Sequence, residues 1–255
     1  MSMNFSQIAD LPYIDFLQRK RAEAQGKLIV YLHVPKAAGN SSIGLIKKHV
    51  SKFKSIQWND IDKSWENFIE EHLKDPFDLV SGHFRDKHID LLIDAGIEFF
   101  TVSFIRHPID RIVSQYKYMC TPAHPDYIEF KKQYPTFESF ISRNVGDNVM
   151  SRILVRGAFS LPNYLRKLDS KYGFIGLTEF YHLSMSILLD IIEGQYKLEP
   201  RRNVTRSNKD NSFELKHSTY LDLARSQSLD IEMFNFYHNL YATASEHYLE
   251  YKVSN

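Results

Sequence analysis

Apolar positions along this chain follow two rhythms. Residues 28–34 (Leu-Ile-Val-Tyr-Leu-His-Val) are apolar or aromatic except for His33, and residues 97–105 (Ile-Glu-Phe-Phe-Thr-Val-Ser-Phe-Ile) are nearly so. Short runs of this kind, rich in β-branched and aromatic side chains, predict strands buried on both faces. Weaker runs at 53–58, 77–84 and 172–177 predict three more strands. Between these runs the apolar spacing changes to three and four. Ile109, Ile112, Val113 and Tyr116 fall at i, i+3, i+4 and i+7 behind Pro108, a residue suited to the first helical position. Leu183, Ile187, Leu188 and Ile191 mark a helix over 180–193, closed by Gly194. Ile43, Ile46 and Val50 mark another over 41–50, opened by Ser41 and Ser42. Helices are also expected over 11–25, ended by Gly26; 64–73; 87–95, ended by Gly96; 137–143; 148–156; 163–171; and 231–248. Two stretches break the alternation and are expected as loops: 120–135, with three prolines, and 195–212, with Arg201, Arg202, Arg206 and Lys209.

Strands alternating with helices imply a mostly parallel sheet covered on both sides, a three-layer α/β/α architecture with a helical C-terminal half. No repeat or low-complexity linker divides the chain, so residues 1–255 are expected to form one domain. Composition narrows the function. With 255 residues, 43% hydrophobic and 25% charged, the chain is of an ordinary globular type. Its formal net charge of +1 argues against a bulk electrostatic partner such as nucleic acid or an acidic membrane. The single cysteine, Cys120, excludes an internal disulfide and favours a reducing compartment. No stretch approaches the ~18 apolar residues of a membrane span, and residues 1–10 lack a basic-then-apolar leader pattern. The expected location is the cytoplasm; a lumenal domain separated from an anchor is the competing expectation.

In sheets of this kind ligands sit at the carboxyl ends of the strands. After the first strand Pro35 stops the run, and Lys36-Ala37-Ala38-Gly39-Asn40 leads into the helix opened by Ser41 and Ser42. A strand, a loop of small residues and a helix N-terminus form an anion site, because the free first-turn N–H groups and the helix dipole both favour negative charge. Two other strands end in groups of the same use: 77–84 in Gly82-His83, and 97–105 in Arg106. If these strands are neighbours, two cations and an imidazole converge. The loop is not a Walker A motif, which places Gly-Lys-Ser/Thr after four residues; here Lys36 precedes Gly39, and Asn40 stands in the Walker lysine's place. No acidic residue is placed at a strand end to hold Mg²⁺. An anion held by amides, Lys and Arg without a metal suits a sulfuryl group better than a triphosphate.

Three motifs, in order, carry a resemblance. Residues 31–42, Tyr-Leu-His-Val-Pro-Lys-Ala-Ala-Gly-Asn-Ser-Ser, resemble the 5′-phosphosulfate loop of sulfotransferases that use 3′-phosphoadenosine 5′-phosphosulfate (PAPS). They are most similar to the carbohydrate subgroup that includes heparan sulfate 2-O-sulfotransferase. Residues 104–116, Phe-Ile-Arg-His-Pro-Ile-Asp-Arg-Ile-Val-Ser-Gln-Tyr, resemble the 3′-phosphate motif of that family, and Ser81-Gly82-His83-Phe84 lies where the subgroup places its catalytic histidine. The resemblance implies a P-loop NTPase-like sulfotransferase fold and transfer of a sulfuryl group to a hydroxyl on a carbohydrate or small metabolite. It gives Lys36 the 5′-phosphosulfate and the leaving-group charge, and the surrounding Ala37, Ala38, Gly39, Asn40, Ser41 and Ser42 the cradle. It gives Arg106 and Ser114 the 3′-phosphate, and His83 the acceptor proton, for which an ordinary imidazole pKa of ~6.5 is suited. Residues 202–205, Arg-Asn-Val-Thr, match a returning loop, so Arg202, Asn203 and Thr205 join the nucleotide site. Ala37 and Asn40 stand where the family usually has threonines, and His107 where it usually has aspartate.

Each of these residues also has a plainer reading. Arg106 would serve structure if it paired Asp110. His33 falls inside the predicted strand and reads as core or as support for the site. His88 is a rival base, but on a helix. Arg111 reads as a helix-surface salt bridge, and Asn148 and Arg152 as braces. Two rival functions follow: a nucleotide-dependent kinase of related fold, and a non-catalytic family member that binds nucleotide or a protein partner.

Overall fold

A computed structural model describes residues 5–56, 60–157, 160–195 and 213–254. Among these residues the five strands are β1 (Leu28–Leu32), β2 (Phe53–Ile56), β3 (Leu79–Gly82), β4 (Phe99–Ile105) and β5 (Phe174–Leu177). They form one sheet in the order β2-β3-β1-β4-β5, with every neighbouring pair parallel. The helices are α1 (Tyr13–Ala24), α2 (Gly39–Ile46), α3 (Ile61–Lys74), α4 (Asp86–Asp94), α5 (Pro108–Met119), α6 (Tyr127–Gln133) and α7 (Phe137–Asn144), then α8 (Val149–Leu154), α9 (Leu161–Lys171), α10 (Tyr181–Ile191), α11 (His217–Ser226) and α12 (Ser228–Ser254). All five residues of β1 are buried, as are all four of β3 and of β5. Strands buried on both faces need helices on both sides, and the three-layer α/β/α arrangement supplies them.

Register brings the strand ends level. Leu32, the last residue of β1, lies opposite Gly82 of β3 on one side and Ser103 of β4 on the other. Ser103 Oγ donates to Leu32 O at 2.8 Å, which ties β4 to the end of β1. Gly82 is small for a local reason: a Cβ there would meet Ile56 O at 2.9 Å.

The core has two parts. The larger surrounds the sheet and draws in Trp65 and Phe68 from α3 and Tyr237 and Tyr241 from α12. The smaller joins Ile109, Ile112 and Tyr116 of α5 to Phe130, Tyr134, Phe137 and Phe140. Residues 120–135 are therefore more ordered than the expected loop. They contain α6, whose Phe130 is buried in the smaller cluster. Helix α11 was not predicted either, and α12 starts at Ser228 and runs to Ser254, beyond both ends of the expected 231–248. β1 stops at Leu32, which leaves His33 just past the strand. No helix among the described residues is long and apolar enough to cross a membrane.

Candidate active site

β1 is flanked by β3 and β4, so the three groups predicted at strand ends are brought to one edge of the sheet. Beyond β1 the chain turns through two residues in the left-handed region, Lys36 (φ 67°) and Ala38 (φ 63°), before α2 begins at Gly39. A non-glycine residue there costs roughly 1 kcal/mol, and such strain concentrates where a ligand is held. The amide of Ala37 donates to Val34 O at 3.3 Å. Those of Ser41 and Ser42 donate to Ala38 O at 3.0 and 3.1 Å, and Ser42 Oγ reaches the same carbonyl at 3.3 Å. No backbone hydrogen bond among the described residues takes the N–H of Gly39 or Asn40. Ser41 and Ser42 are buried and Asn40 is exposed.

Arg106 leaves the end of β4 and its Nη1 donates to Lys36 O at 3.4 Å. Lys36 Nζ lies over the ring of Tyr118 from α5, 4.1 Å from its centroid. Burial and the nearby Arg106 push the Lys36 ammonium down to about 8. Neither cation has a carboxylate partner among the described residues. Arg106 does not pair Asp110; that carboxylate lies 3.8 Å from Nδ1 of His107, and the backbone N–H of His107 donates to Glu179 Oε1 at 3.0 Å.

His83 follows β3 and is half-buried. Its Nδ1 donates to His33 O at 2.9 Å. The two imidazoles stack with centroids 4.1 Å apart and planes at 24°. Burial lowers the His83 pKa, while the hydrogen bond to the carbonyl opposes the shift. His33 is driven down to about 3 by burial and by the neighbouring His83 and Lys36, so its ring is neutral. The rival base is accounted for: His88 is buried, its Nδ1 accepts from Arg85 N at 3.0 Å, and its Nε2 lies 2.8 Å from Asp62. Ser114 is half-buried on α5. Arg202, Asn203 and Thr205 lie outside the described residues.

A second, buried charged cluster lies near Arg106. Arg111 is not a helix-surface ion pair: it is 2% exposed, and its Nη1 donates to Gln115 Oε1 at 3.1 Å. Burial lowers its pKa to about 10 against the opposing field of Asp230, and Arg106 lowers it further. Asp230, fully buried on α12, accepts from the amides of Met150 (2.8 Å) and Ser151 (2.7 Å) and from Ser151 Oγ. Asn148 Oδ1 accepts from Asp230 N at 3.2 Å, so Asn148 braces this junction, while Arg152 is exposed. Sequence reasoning did not find the roles of Tyr118, Asp230 or the stacked face of His33. The one signal was His33 itself, the polar break in an apolar run.

The arrangement suits a ligand carrying more than one anionic group. Two cations without a carboxylate partner among the described residues, helix N-terminal amides that no described backbone carbonyl takes up, and a left-handed loop all favour negative charge, with an imidazole beside them. Among the described residues no group of three or more His, Cys, Asp or Glu comes together as metal ligands. These features define a class: a parallel α/β protein whose central strand feeds a loop suited to an anion. Comparison with known proteins then places it. The chain belongs to the Sulfotransferase family, whose model matches residues 24–241, from the end of α1 into α12. No curated protein matches the sequence. Among solved structures it is similar to the mouse sulfotransferase SULT7A1 complexed with PAP, at 13% identity and a TM-score of 0.43, over 88% of this chain and 72% of that one.

Proposed function

We propose that this protein moves a sulfuryl group from PAPS to the hydroxyl of an acceptor, a carbohydrate or a small metabolite. The reading is carried by the pairing of Lys36 with Arg106, two cations near enough to depress the lysine and without a carboxylate among the described residues. When bound, PAPS supplies the sulfuryl group, and 3′-phosphoadenosine 5′-phosphate (PAP) leaves. Lys36 and the N–H groups of Gly39 and Asn40 would hold its 5′ end, within the loop formed with Ala37, Ala38, Ser41 and Ser42. Arg106, with Ser114, would hold the 3′-phosphate, and Arg202, Asn203 and Thr205 would complete the nucleotide site. Lys36 keeps positive charge beside the leaving group, where preorganised charge is worth most.

His83 would accept the acceptor's proton. Its Nδ1 carries the hydrogen given to the His33 carbonyl, so the lone pair of the neutral ring is on Nε2. The acceptor would lie beside His83, against residues drawn from 119–165. The balanced charge and single cysteine suit a cytoplasmic setting.

The test is transfer of labelled sulfate from PAPS by the purified chain across a panel of hydroxyl acceptors, with PAP and Mg-ATP titrated in parallel. Transfer, with PAP the tighter ligand, is expected. Tighter ATP binding would move the assignment to a kinase, and nucleotide binding without transfer to any acceptor would move it to a binding protein.

A further inference from the structure

The proposed chemistry uses one histidine at the sheet's end and leaves the other without a task. Yet His33 is fixed from several directions. Its N–H donates to Gly82 O at 2.9 Å, and its carbonyl accepts from His83 Nδ1 at 2.9 Å. Its ring stacks on His83 at 4.1 Å. Its Cδ2–Nε2 edge is packed against Gly39, where a Cβ would fall 2.0 Å from each of those atoms. We infer that His33 is a positioning residue: its ring is a flat plate seated between the His83 imidazole and the first residue of α2, holding both in register.

Two consequences follow from the contacts. A carbonyl only accepts, so the bond to His33 O keeps the neutral His83 ring in its Nδ1–H form, and the stacked ring resists the rotation that would break that bond. On the other edge, Gly39 approaches closely because it has no side chain, so loop and plate are seated as one unit. The titratable groups facing the plate are His83 and Lys36; a charged imidazole at 33 would be repelled by Lys36, and by His83 whenever that ring is protonated. Burial keeps it neutral, so packing rather than charge does the positioning.

The meaning of the loop as a donor site rests on the sulfotransferase reading; the placement of His83 does not, and it has its own readout. Nitrogen-resolved NMR of the full chain without ligand reports the tautomer and pKa of His83. His33→Ala is expected to populate the Nε2–H form and to raise the His83 pKa toward the ordinary imidazole value as the ring gains water. It is also expected to weaken PAP binding and to lower kcat by about tenfold or more through misplacement of the reacting groups. His33→Phe, which keeps the plate and loses the nitrogens, should restore the parent tautomer, pKa and PAP affinity. If His33→Ala does not fold, His33→Leu replaces it, keeping bulk without a flat face. An unchanged His83 tautomer and pKa in the Ala or Leu variant would overturn the inference, as would His33→Phe behaving like His33→Ala. Absence of sulfate transfer by the parent protein would overturn the functional reading and leave the NMR result standing.

Discussion

For the proposed transfer Lys36 and His83 need opposite protonation states, and their surroundings favour them. There the lysine would act charged and is held at about 8, while the imidazole would act neutral and is held below its ordinary value. The pH profile of kcat/KM should therefore fall as pH rises through about 8, where Lys36 loses its proton, and should fall on the acid side below the ordinary imidazole value. Lys36→Arg should remove the alkaline limb, since guanidinium does not titrate there. A parent profile flat through pH 9 would contradict the role given to Lys36. Arg106→Ala should weaken PAP by about 10- to 100-fold, the value of a charge-assisted hydrogen bond, and adenosine 5′-phosphate far less. Calorimetry with both nucleotides checks this, and equal weakening would remove the 3′-phosphate assignment. His83→Ala should cut transfer by about 100-fold or more while PAP affinity holds. That these three residues come to one edge of the sheet was legible, because each follows a strand and sits in an ordered set of motifs. Tyr118, Asp230 and the stacked face of His33 were not, since contacts across elements depend on side-chain direction that linear spacing does not encode.

Elements divide along a similar line. Every strand was legible, because a buried parallel strand is a short apolar run bounded by breakers. Helices α6 and α11 were not. Each buries few side chains, Phe130 in one and Thr219 and Leu223 in the other, too few to stand out in the sequence. At the start of α2, Gly39→Ala should force its Cβ into the His33 ring. A cost of about 1–3 kcal/mol is expected for such overpacking, read as a lower melting temperature together with weaker PAP binding; a melt equal to the parent's would mean that the loop can yield. At the junction of α5, α8 and α12, Asp230→Ala should strip the amides of Met150 and Ser151 and the Ser151 hydroxyl of their buried acceptor, and remove a carboxylate whose field favours the charge on Arg111. The expected loss is roughly 1–3 kcal/mol, the cost of a buried donor left unsatisfied, measured by urea denaturation. A loss below ~1 kcal/mol would show that the network is not needed to hold these helices together.

At the scale of the whole molecule, the neutral plate at position 33 links stability to pH. Its folded pKa of about 3 lies below the unfolded value of ~6.5. Between those values the unfolded chain binds a proton that the folded chain refuses, so this contribution is complete above pH 6.5 and is lost as pH falls toward 3. Asp169, raised to about 6 by burial, works in the opposite sense: its contribution falls as pH rises from its unfolded value to about 6. The two overlap, so the informative measurement is a difference. Between pH 7.5 and 4.5 the parent should lose more stability than His33→Phe, with Asp169 common to both; equal losses would mean that His33 does not titrate on unfolding. The loop itself carries a further cost with consequences for engineering. Lys36 and Ala38 occupy backbone conformations that glycine adopts without strain. Selection for thermal tolerance alone would favour glycine at both positions. At 38 the change would exchange a stiff, preshaped loop for a looser one, and at 36 it would also delete the ammonium. A hardened variant of this protein obtained by that route would be a poorer catalyst, so screens that score heat resistance should score turnover as well.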